Sequence, residues 1–558
     1  MLFAYPLRIE EAFNVRGGVL SYVSFSFIIF ISLTVLMYFA LPLKKNRWVI
    51  LLISSYLFYL FAGYKYIVFI VITTGSTYAV ARWIDWMSRQ YKNRLKTHKK
   101  EWDRETKKKV KYEAKRNKRL AMALCLVLNF GILAFLKYYN FFAGGLNDVI
   151  GVFGIGFSVP TLKLFLPLGI SFYTFQSMGY LVDVYREKYP AEKNVAKLAL
   201  FVSFFPQIIQ GPISFHDQLA HQLYEPHKMD FTRFKYGCEL ILWGYFKKLI
   251  IADRAVITIE TVVNNLNAYN GTTLTFTVLL YALQLYADFS GGIDISRGIA
   301  QILGIDMAEN FRRPYFSKSI NEYWRRWHIT LGAWMKEYVF YPLSLSNAFL
   351  NAGKKIKATR FGSTKAGSHI AKVLPTAFAS LIVFLIVGVW HGASWKYVAF
   401  GLWNGGVIML SILMKPLFDI VLRKLHINSD NILWKLFQIF RTFIIVCIGY
   451  VFDIAPSFKQ AIWMMKTILI QQDIRHIIRN VTVIKLSIYD IAILGVSSFV
   501  FLMVSLFQEK RKHGLRITID RCNFFIESVL IICCILVVAF FGVYGPGYNS
   551  ADFVYAQF

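Results

Sequence analysis

The chain has 558 residues, of which 56% are hydrophobic and 17% are charged, and its formal net charge is +31. Soluble domains are about half apolar and about a quarter charged, so this composition excludes an ordinary soluble protein and indicates a membrane protein. The positive charge alone would also fit a nucleic-acid-binding protein. It lies between apolar stretches, however, as in the cytoplasmic loops of membrane proteins, and we therefore predict no nucleic-acid partner.

Long apolar stretches recur along the whole chain. A helix needs about 20 apolar residues to cross about 30 Å of hydrocarbon. The predicted spans lie near 22–43, 48–63, 66–81, 120–140, 162–182, 196–214, 236–252, 273–290, 373–390, 395–414, 436–453, 487–507 and 524–544. We predict an all-α, polytopic integral membrane protein with about a dozen transmembrane or re-entrant helices and a single membrane domain over residues 1–558.

The longest polar segment, residues 82–119, carries much of the positive charge. Its mixed charges predict an amphipathic helix or helical hairpin. Two shorter basic patches follow at 353–372 and 508–521. Cytoplasmic loops are rich in Lys and Arg and lie beside anionic lipid. This places 82–119 and 508–521 in the cytoplasm and, after one further span, the tail 546–558 outside.

Within the apolar part of the chain, ionisable residues are densest between positions 281 and 342. If NEYWRRWHITLGAW forms one continuous helix, Asn321, Arg325 and His328 fall on one polar stripe and Trp324 lies on the adjoining apolar stripe. Ionisable residues in membrane segments are functional candidates by default. The alternative is an interfacial helix whose Trp and Arg side chains anchor it at the headgroups.

A second histidine, His391, lies in the stretch VGVWHGASW (387–395) between two apolar segments. Gly388 and Gly392 allow the backbone of a neighbouring segment to approach closely. Both His328 and His391 follow a tryptophan, and an imidazole can take and return a proton near neutral pH. We interpret the two histidines as a catalytic pair.

Other patterns for catalysis or metal binding are weak. HDQLAH (216–221) spaces its histidines five apart, which puts them on different helix faces. Asp288 and Asp294 are six apart, which also does not suit a carboxylate pair on one helix. The six cysteines suggest no metal site, and we predict none.

The segment YADFSGGIDISRGIAQILGIDMAENFRRPYFSKSINEYWRRWHITLGAWMKEYVFYPL, followed by VGVWHGASW, resembles the membrane-bound O-acyltransferase (MBOAT) family. LLISSYLFYLFAGYKY, LPLGISFYTFQSMGYLVDVYR and FFPQIIQGPI resemble the same bacterial branch, which is typified by the membrane subunit of alginate O-acetylation. The chain departs from the family pattern at DFSGGIDISRG, where DFSGYTDMAIG is usual, and at PLSLS, where PLGG is usual. Both departures leave the substrate open.

The resemblance implies a ring of tilted helices around a central tunnel and acyl transfer to a hydroxyl group. By family motif, His391 corresponds to the invariant catalytic histidine and His328 to the second polar position. The residues expected to line the tunnel or bind substrate are Asn310, Asn321, Trp324, Arg325, Trp390 and Asp288. The terminal DFVYAQF resembles the tail of this branch, which suggests Tyr555 as a covalent acyl acceptor, although an aromatic tail can also simply pack at the interface.

The same resemblance implies acetyl-CoA as the acyl donor, with no bound cofactor. It further implies an extracytoplasmic polysaccharide as the acceptor, an extracytoplasmic SGNH/esterase-like acetyltransferase as the partner, anionic lipid around the basic loops, and the bacterial cytoplasmic membrane as the location. Three alternatives stay open: a D-alanyl transferase for teichoic acid, a proton-coupled transporter, and a non-catalytic assembly subunit.

Overall fold

The computed structural model describes residues 21–473 apart from 155–156 and 209, and also residue 475 and the ranges 486–511 and 515–544. Within these ranges the chain is all-α, and its only β-type pairing is an isolated bridge between Phe311 and Trp327. This confirms the all-α prediction.

The α-helices are α1 Phe25–Ala40, α2 Trp48–Ala62, α3 Ile67–Thr97, α4 Arg104–Val152, α5 Ile170–Tyr185, α6 Val195–Ser203, α7 Phe205–Ile208, α8 His216–Tyr224, α9 Phe231–Tyr245, α10 Asp253–Val263, α11 Gly271–Ile302, α12 Ile320–Arg326, α13 Ile329–Met335, α14 Tyr341–Ser344, α15 Asn347–Lys357, α16 Lys365–His391, α17 Trp395–Leu413, α18 Lys415–Lys424, α19 Ile432–Ile454, α20 Phe458–Ile470, α21 Ile488–Arg511, α22 Leu515–Ile519 and α23 Phe524–Phe541. Two π-helical segments, Phe246–Ala252 and Lys336–Phe340, and four short 3₁₀ turns, Lys44–Asn46, Tyr64–Tyr66, Leu266–Ala268 and Pro314–Phe316, lie between them.

Seven described helices are long and apolar enough to cross a membrane: α3 with its preceding turn, α4, α16, α17, α19, α21 and α23. The shorter α1 and α2 are also apolar. The structure therefore confirms a multi-pass membrane protein but does not confirm about a dozen spans. The predicted ring around a tunnel remains a prediction.

Two predicted spans are interrupted, and the sequence gives the physical reason. The span near 196–214 is divided into α6 and α7, and Pro206 stands at the second position of α7, where a missing N–H is tolerated. The span near 162–182 becomes helical only at Ile170, after Gly169 at φ +67°. A side chain at 169 would also collide with the carbonyl oxygen of Ile208, so glycine is required there on both counts.

The basic segment 82–119 is helical and forms the end of α3 and the beginning of α4, with a turn between them. Asp103 caps α4 by accepting from the backbone N–H of Thr106 at 2.9 Å. The buried Lys118 joins the two helices by donating to Ser88 at 3.0 Å. The helical hairpin is thus present; its cytoplasmic location stays a prediction.

By compactness the chain divides into two units. Of the described residues, one unit contains those up to Ile241 and Ile295–Ala308, and its helix α5 is buried along nearly its whole length. The other contains Leu242–Asp294 and Glu309–Phe558, and its most extensive helix pair is α16 with α17. Both candidate histidines lie in the second unit.

Candidate active site

His391 is the last residue of α16, and its side chain is only 6% exposed. A methyl group added at Gly388 would lie 2.9 Å from the Cα of Gly401 and would collide with the carbonyl oxygen of Tyr397. One at Gly392 would collide with the ring of Tyr397. Gly388 therefore lets α16 and α17 touch backbone to backbone, as the sequence predicts, whereas Gly392 makes room for the Tyr397 ring. The backbone contact sets the position of His391.

Aromatic rings surround the His391 imidazole. The ring centroids of Trp390 and Phe400 lie 5.2 and 5.3 Å from it, and the ring of Tyr397 lies 6.2 Å away, nearly parallel. Such an apolar enclosure excludes water and strengthens any polar interaction that the imidazole makes. This is suitable for acyl chemistry, in which water would compete with the acceptor.

The helix predicted to carry His328 is not continuous, so the prediction of one polar stripe was wrong. α12 ends at Arg326, and His328 has left-handed backbone angles of φ +46° and ψ +53° immediately before α13. Asn321 and Arg325 lie exposed on α12, whereas His328 is 1% exposed. A left-handed residue other than glycine costs about 1–3 kcal/mol and is concentrated at functional sites.

Backbone pairing replaces the helix at this point. The N–H of Arg312 donates to the carbonyl of Arg326 at 2.9 Å, and the N–H of Ile329 donates to the carbonyl of Asn310 at 3.0 Å. These bonds satisfy polar groups that a helix would otherwise pair internally. The pairing with segment 310–312 therefore interrupts the helix after Arg326 and places His328 in the interior.

The side chain of Asn310 completes this arrangement. Its Oδ1 lies 3.1 Å from His328 Nδ1 and accepts hydrogen bonds from the N–H and the hydroxyl of Thr330 at 3.1 and 2.9 Å. Asn310 is 1% exposed, so these bonds form away from solvent. The predicted site residue Asn310 thus lies directly beside His328.

Trp390 brings the two histidines together. Its ring centroid lies 6.1 Å from that of His328 and 5.2 Å from that of His391. The ring of Phe289 closes the other side of His328 at 4.9 Å. Burial lowers the pKa of His328 to about 3, and a charge on nearby His391 acts in the same direction. His328 is therefore neutral at physiological pH.

A narrow cavity lies beside His391. It is lined by Leu285, Tyr323, Trp324, Trp327, His391, Phe400, Asn404, Val446, Tyr450 and Asp453. The predicted Trp324 lies here, and its indole N–H donates to Asn404 Oδ1 at 3.2 Å. Sequence reasoning missed Asn404, although a polar residue in the apolar stretch FGLWNGG was a usable signal.

Asp288 is buried in a cluster of charged side chains. Its carboxylate accepts from Lys248 Nζ at 2.7 Å, and Lys248 also pairs with Asp253 at 2.9 Å, with all three side chains at most 1% exposed. Lys248 stands in the π-helical segment Phe246–Ala252, next to Lys247, which pairs with Asp294 at 2.7 Å. Asp288 therefore anchors α11 to this segment.

Arg326 also has a role that the sequence did not indicate. It contacts Glu509 at 3.0 Å and Glu322 at 2.7 Å, and Glu509 contacts Arg313 at 2.6 Å. Glu509 on α21 thereby joins Arg313, three residues after Asn310, to Arg326, two residues before His328. Tyr555 and the tail lie outside the described residues.

Comparison with known proteins gives a consistent set of similarities. Residues 192–359, which include His328, match the membrane-bound O-acyltransferase (MBOAT) family. The chain is 32% identical over 345 residues to a probable alginate O-acetylase of Pseudomonas aeruginosa, covering 62% of this chain and 59% of that protein. It therefore spans little more than half of that relative's length.

Two further relatives bear on the chemistry. A peptidoglycan O-acetyltransferase of Helicobacter pylori is 29% identical over 452 residues, covering 76% of this chain and 74% of that protein. A teichoic acid D-alanyltransferase of Bacillus subtilis is 28% identical over 309 residues, covering 53% of this chain and 71% of that protein. All three relatives carry names of acyl-transferring enzymes.

Proposed function

We propose that this chain is a membrane-bound O-acyltransferase, and specifically an O-acetyltransferase that acts on an extracytoplasmic polysaccharide. The observation that carries the proposal is the pair of buried imidazoles beside the ring of Trp390, one of which, His391, lines a cavity formed mostly by aromatic and aliphatic side chains. The match to the family over residues 192–359 and the names of the relatives favour a transferase over the transporter and the assembly-subunit alternatives.

The proposed reaction is acetyl transfer from acetyl-CoA to a hydroxyl group. A histidine takes the hydroxyl proton, the oxygen attacks the acetyl carbonyl carbon, and the carbon–sulfur bond breaks. The proton then passes to the departing thiolate, so that the products are an ester and a free thiol. His391 is the proposed general base because it lines the cavity, and His328 is the second site histidine.

The donor is proposed to bind from the cytoplasmic side, where the basic segments at 82–119, 353–372 and 508–521 would attract its phosphates and anionic lipid. The acceptor side is proposed to face outward, in the bacterial cytoplasmic membrane. An SGNH/esterase-like acetyltransferase would then take the acetyl group onward to the polymer.

In the proposed relay, the hydroxyl of Tyr555 accepts the acetyl group first. A phenol has a pKa near 10 and therefore needs a base nearby. The aryl ester would then pass its acetyl group to a sugar more readily than an alkyl ester, because phenolate is the better leaving group. Tyr555→Phe retains the ring but should abolish polymer acetylation, and the wild-type tail alone should gain the mass of one acetyl group.

The proposed function is tested in membrane vesicles that contain the full chain together with the proposed SGNH/esterase-like partner. Radiolabelled acetyl-CoA is supplied on the cytoplasmic side, and base-labile acetate on alginate and peptidoglycan is measured. Wild type should acetylate one of the polymers, and His391→Ala should reduce the rate by about 10²–10⁴-fold at equal protein level. Retention of the wild-type rate in monodisperse His391→Ala would remove the assigned base.

D-alanyl transfer is a second candidate because a carboxylate lies in the cavity wall. Asp453 lines the cavity and accepts from the hydroxyl of Tyr281 at 2.7 Å. A carboxylate in that position would attract the ammonium group of an aminoacyl substrate, whereas an acetyl group offers it no charge. Supplying the same vesicles with a D-alanyl carrier protein separates the two: acetate on the polymer supports the first candidate and D-alanine the second.

A further inference from the structure

We propose that Asn310 is a positioning residue that fixes the tautomer of His328, so that the imidazole carries its proton on Nδ1 and presents the lone pair of Nε2. This inference rests on the proposed function, which it deepens by giving the second histidine a defined chemical state. It is carried by the hydrogen bonds around a single buried atom, Asn310 Oδ1.

The orientation of the Asn310 amide follows from Thr330. The backbone N–H of Thr330 can only donate, and it points at Asn310 Oδ1 from 3.1 Å. An amide rotated by half a turn would place its own NH₂ group against this N–H, donor against donor. The Thr330 hydroxyl lies 2.9 Å from the same oxygen and can also donate a hydrogen bond to it. The atom facing Thr330 is therefore the oxygen.

The state of His328 follows from the orientation of Asn310. His328 Nδ1 lies 3.1 Å from the same Oδ1, which is an acceptor only. Nδ1 must therefore carry the proton, and in the neutral imidazole Nε2 must then carry the lone pair. The imidazole is thus set to accept a hydrogen bond at Nε2.

The backbone makes this arrangement rigid. The main-chain carbonyl of Asn310 also accepts a hydrogen bond from the N–H of Ile329. Asn310 is therefore hydrogen-bonded both to the backbone after His328 and to the His328 ring. The left-handed conformation of His328 persists because these bonds hold it. The Nδ2 group of Asn310 has no hydrogen-bond partner in the part of the chain that the structure describes, which costs stability. The Asn310 amide keeps this orientation because it provides the hydrogen bonds to Oδ1.

For the reaction, a fixed lone pair on Nε2 gives the acceptor hydroxyl a defined hydrogen-bond acceptor that orients it, while His391 takes the proton. With the other tautomer Nε2 would be a donor and could not accept this hydrogen bond. At metal sites, hydrogen-bond partners that orient a ligating histidine typically contribute about 10–100-fold to metal affinity or activity. A comparable loss is expected when Asn310 no longer accepts.

The test uses the full-length protein in lipid nanodiscs with ¹⁵N-labelled histidine. The His328 signals are assigned by their loss in His328→Gln, and their shifts distinguish a protonated Nδ1 from a protonated Nε2. Acetyl transfer from acetyl-CoA is measured in parallel across pH. The variants are Asn310→Leu, which removes the acceptor, and Asn310→Asp, which retains it. Asn129→Leu, which deletes another buried amide, on α4, is the matched control.

Wild type should show a protonated Nδ1, and Asn310→Leu should show a mixture or a protonated Nε2 with a rate about 10–100-fold lower. Asn129→Leu should keep both the tautomer and the rate. In Asn310→Asp the tautomer should persist, and the added carboxylate should raise the pKa of His328 and move the acid limb of the rate profile to higher pH. The charged and titratable groups on the neighbouring elements are His391 on α16, Asp288 on α11 paired with Lys248, and Arg326 paired with Glu322 and Glu509.

A protonated Nε2 in wild type would overturn the assignment, as would an Asn310→Leu protein with unchanged tautomer and rate. A purely structural role would predict that Asn310→Leu and Asn310→Asp lose activity together, with no shift of the acid limb, and that result also contradicts the proposal. If the tautomer depends on Asn310 but wild type transfers no acetyl group, the role of Asn310 stands and the proposed function fails.

Discussion

Replacing Gly388 by alanine tests whether the contact between α16 and α17 sets the site. In an ordinary helix interior, Gly to Ala stabilises by about 0.5–1 kcal/mol. Here the new methyl group would lie 2.9 Å from Gly401 Cα and closer still to the Tyr397 carbonyl oxygen, so the helices must separate. Overpacking of this kind costs about 1–3 kcal/mol. The net expectation is a destabilisation of up to about 2.5 kcal/mol.

The effect on activity should exceed the effect on stability. His391 lies three residues after Gly388 on the same helix, so a separation of the helices moves the imidazole. A displacement of about 1 Å can reduce a rate by about 10²-fold. Thermal unfolding in detergent, followed by size-exclusion chromatography, measures the stability, and acetyl transfer in vesicles measures the rate.

The matched control is Gly406→Ala on α17. A methyl group added at Gly406 meets no atom within 4 Å, so the variant gains helix propensity without a collision. It should be as stable as wild type or slightly more stable, and fully active. If Gly388→Ala behaved in the same way as Gly406→Ala, the close contact would not position His391.

Three further predictions concern the histidines and the residues that hold them. His391→Ala should lose about 10²–10⁴-fold in rate while remaining folded, as judged by size exclusion; a few-fold loss would contradict its role as base. Arg326→Ala should impair transfer because it releases Glu509, whereas exposed Arg325→Ala should not; equal rates would show that this ion pair does not support the site. His328 is held neutral in the fold with a pKa of about 3 against an ordinary 6.5, so the unfolded chain binds more protons below pH 6.5. Wild type should therefore lose more thermal stability than His328→Gln as pH falls from 6.5 towards 3; parallel losses would mean that His328 is not buried neutral.

The class of the protein and the setting of His391 were predictable because they depend on local sequence. Apolar stretches of sufficient length predict helices in a membrane, and glycines at 388 and 392 predict a close backbone approach. The number of spans was less predictable, since Gly169 and Pro206 interrupt stretches that are apolar throughout. Composition alone does not distinguish a continuous helix from an interrupted one.

The surroundings of His328 could not be predicted from periodicity. The stretch from Asn321 to Trp334 has a helical pattern, but pairing with residues 310–312 breaks the helix after Arg326. That pairing joins positions that are 14–19 residues apart, and a helical wheel contains no information about it. The same holds for Asn404 and Asp453, which reach the cavity from α17 and α19. Their contribution depends on which helices are neighbours.

Both histidines lie where the helical backbone stops, and this is a physical requirement of the site. A histidine in the middle of a helix projects sideways from it, and the rows of side chains above and below limit its approach to another helix. His391 extends from the end of α16, which the close contact of Gly388 with α17 holds in place. His328 extends from the left-handed turn before α13, which the hydrogen bonds of Asn310 hold in place. Sites of this kind break local rules and depend on support from elsewhere in the fold. The supporting residues Gly388, Gly401 and Asn310 are therefore expected to tolerate substitution less well than most side chains that line the cavity.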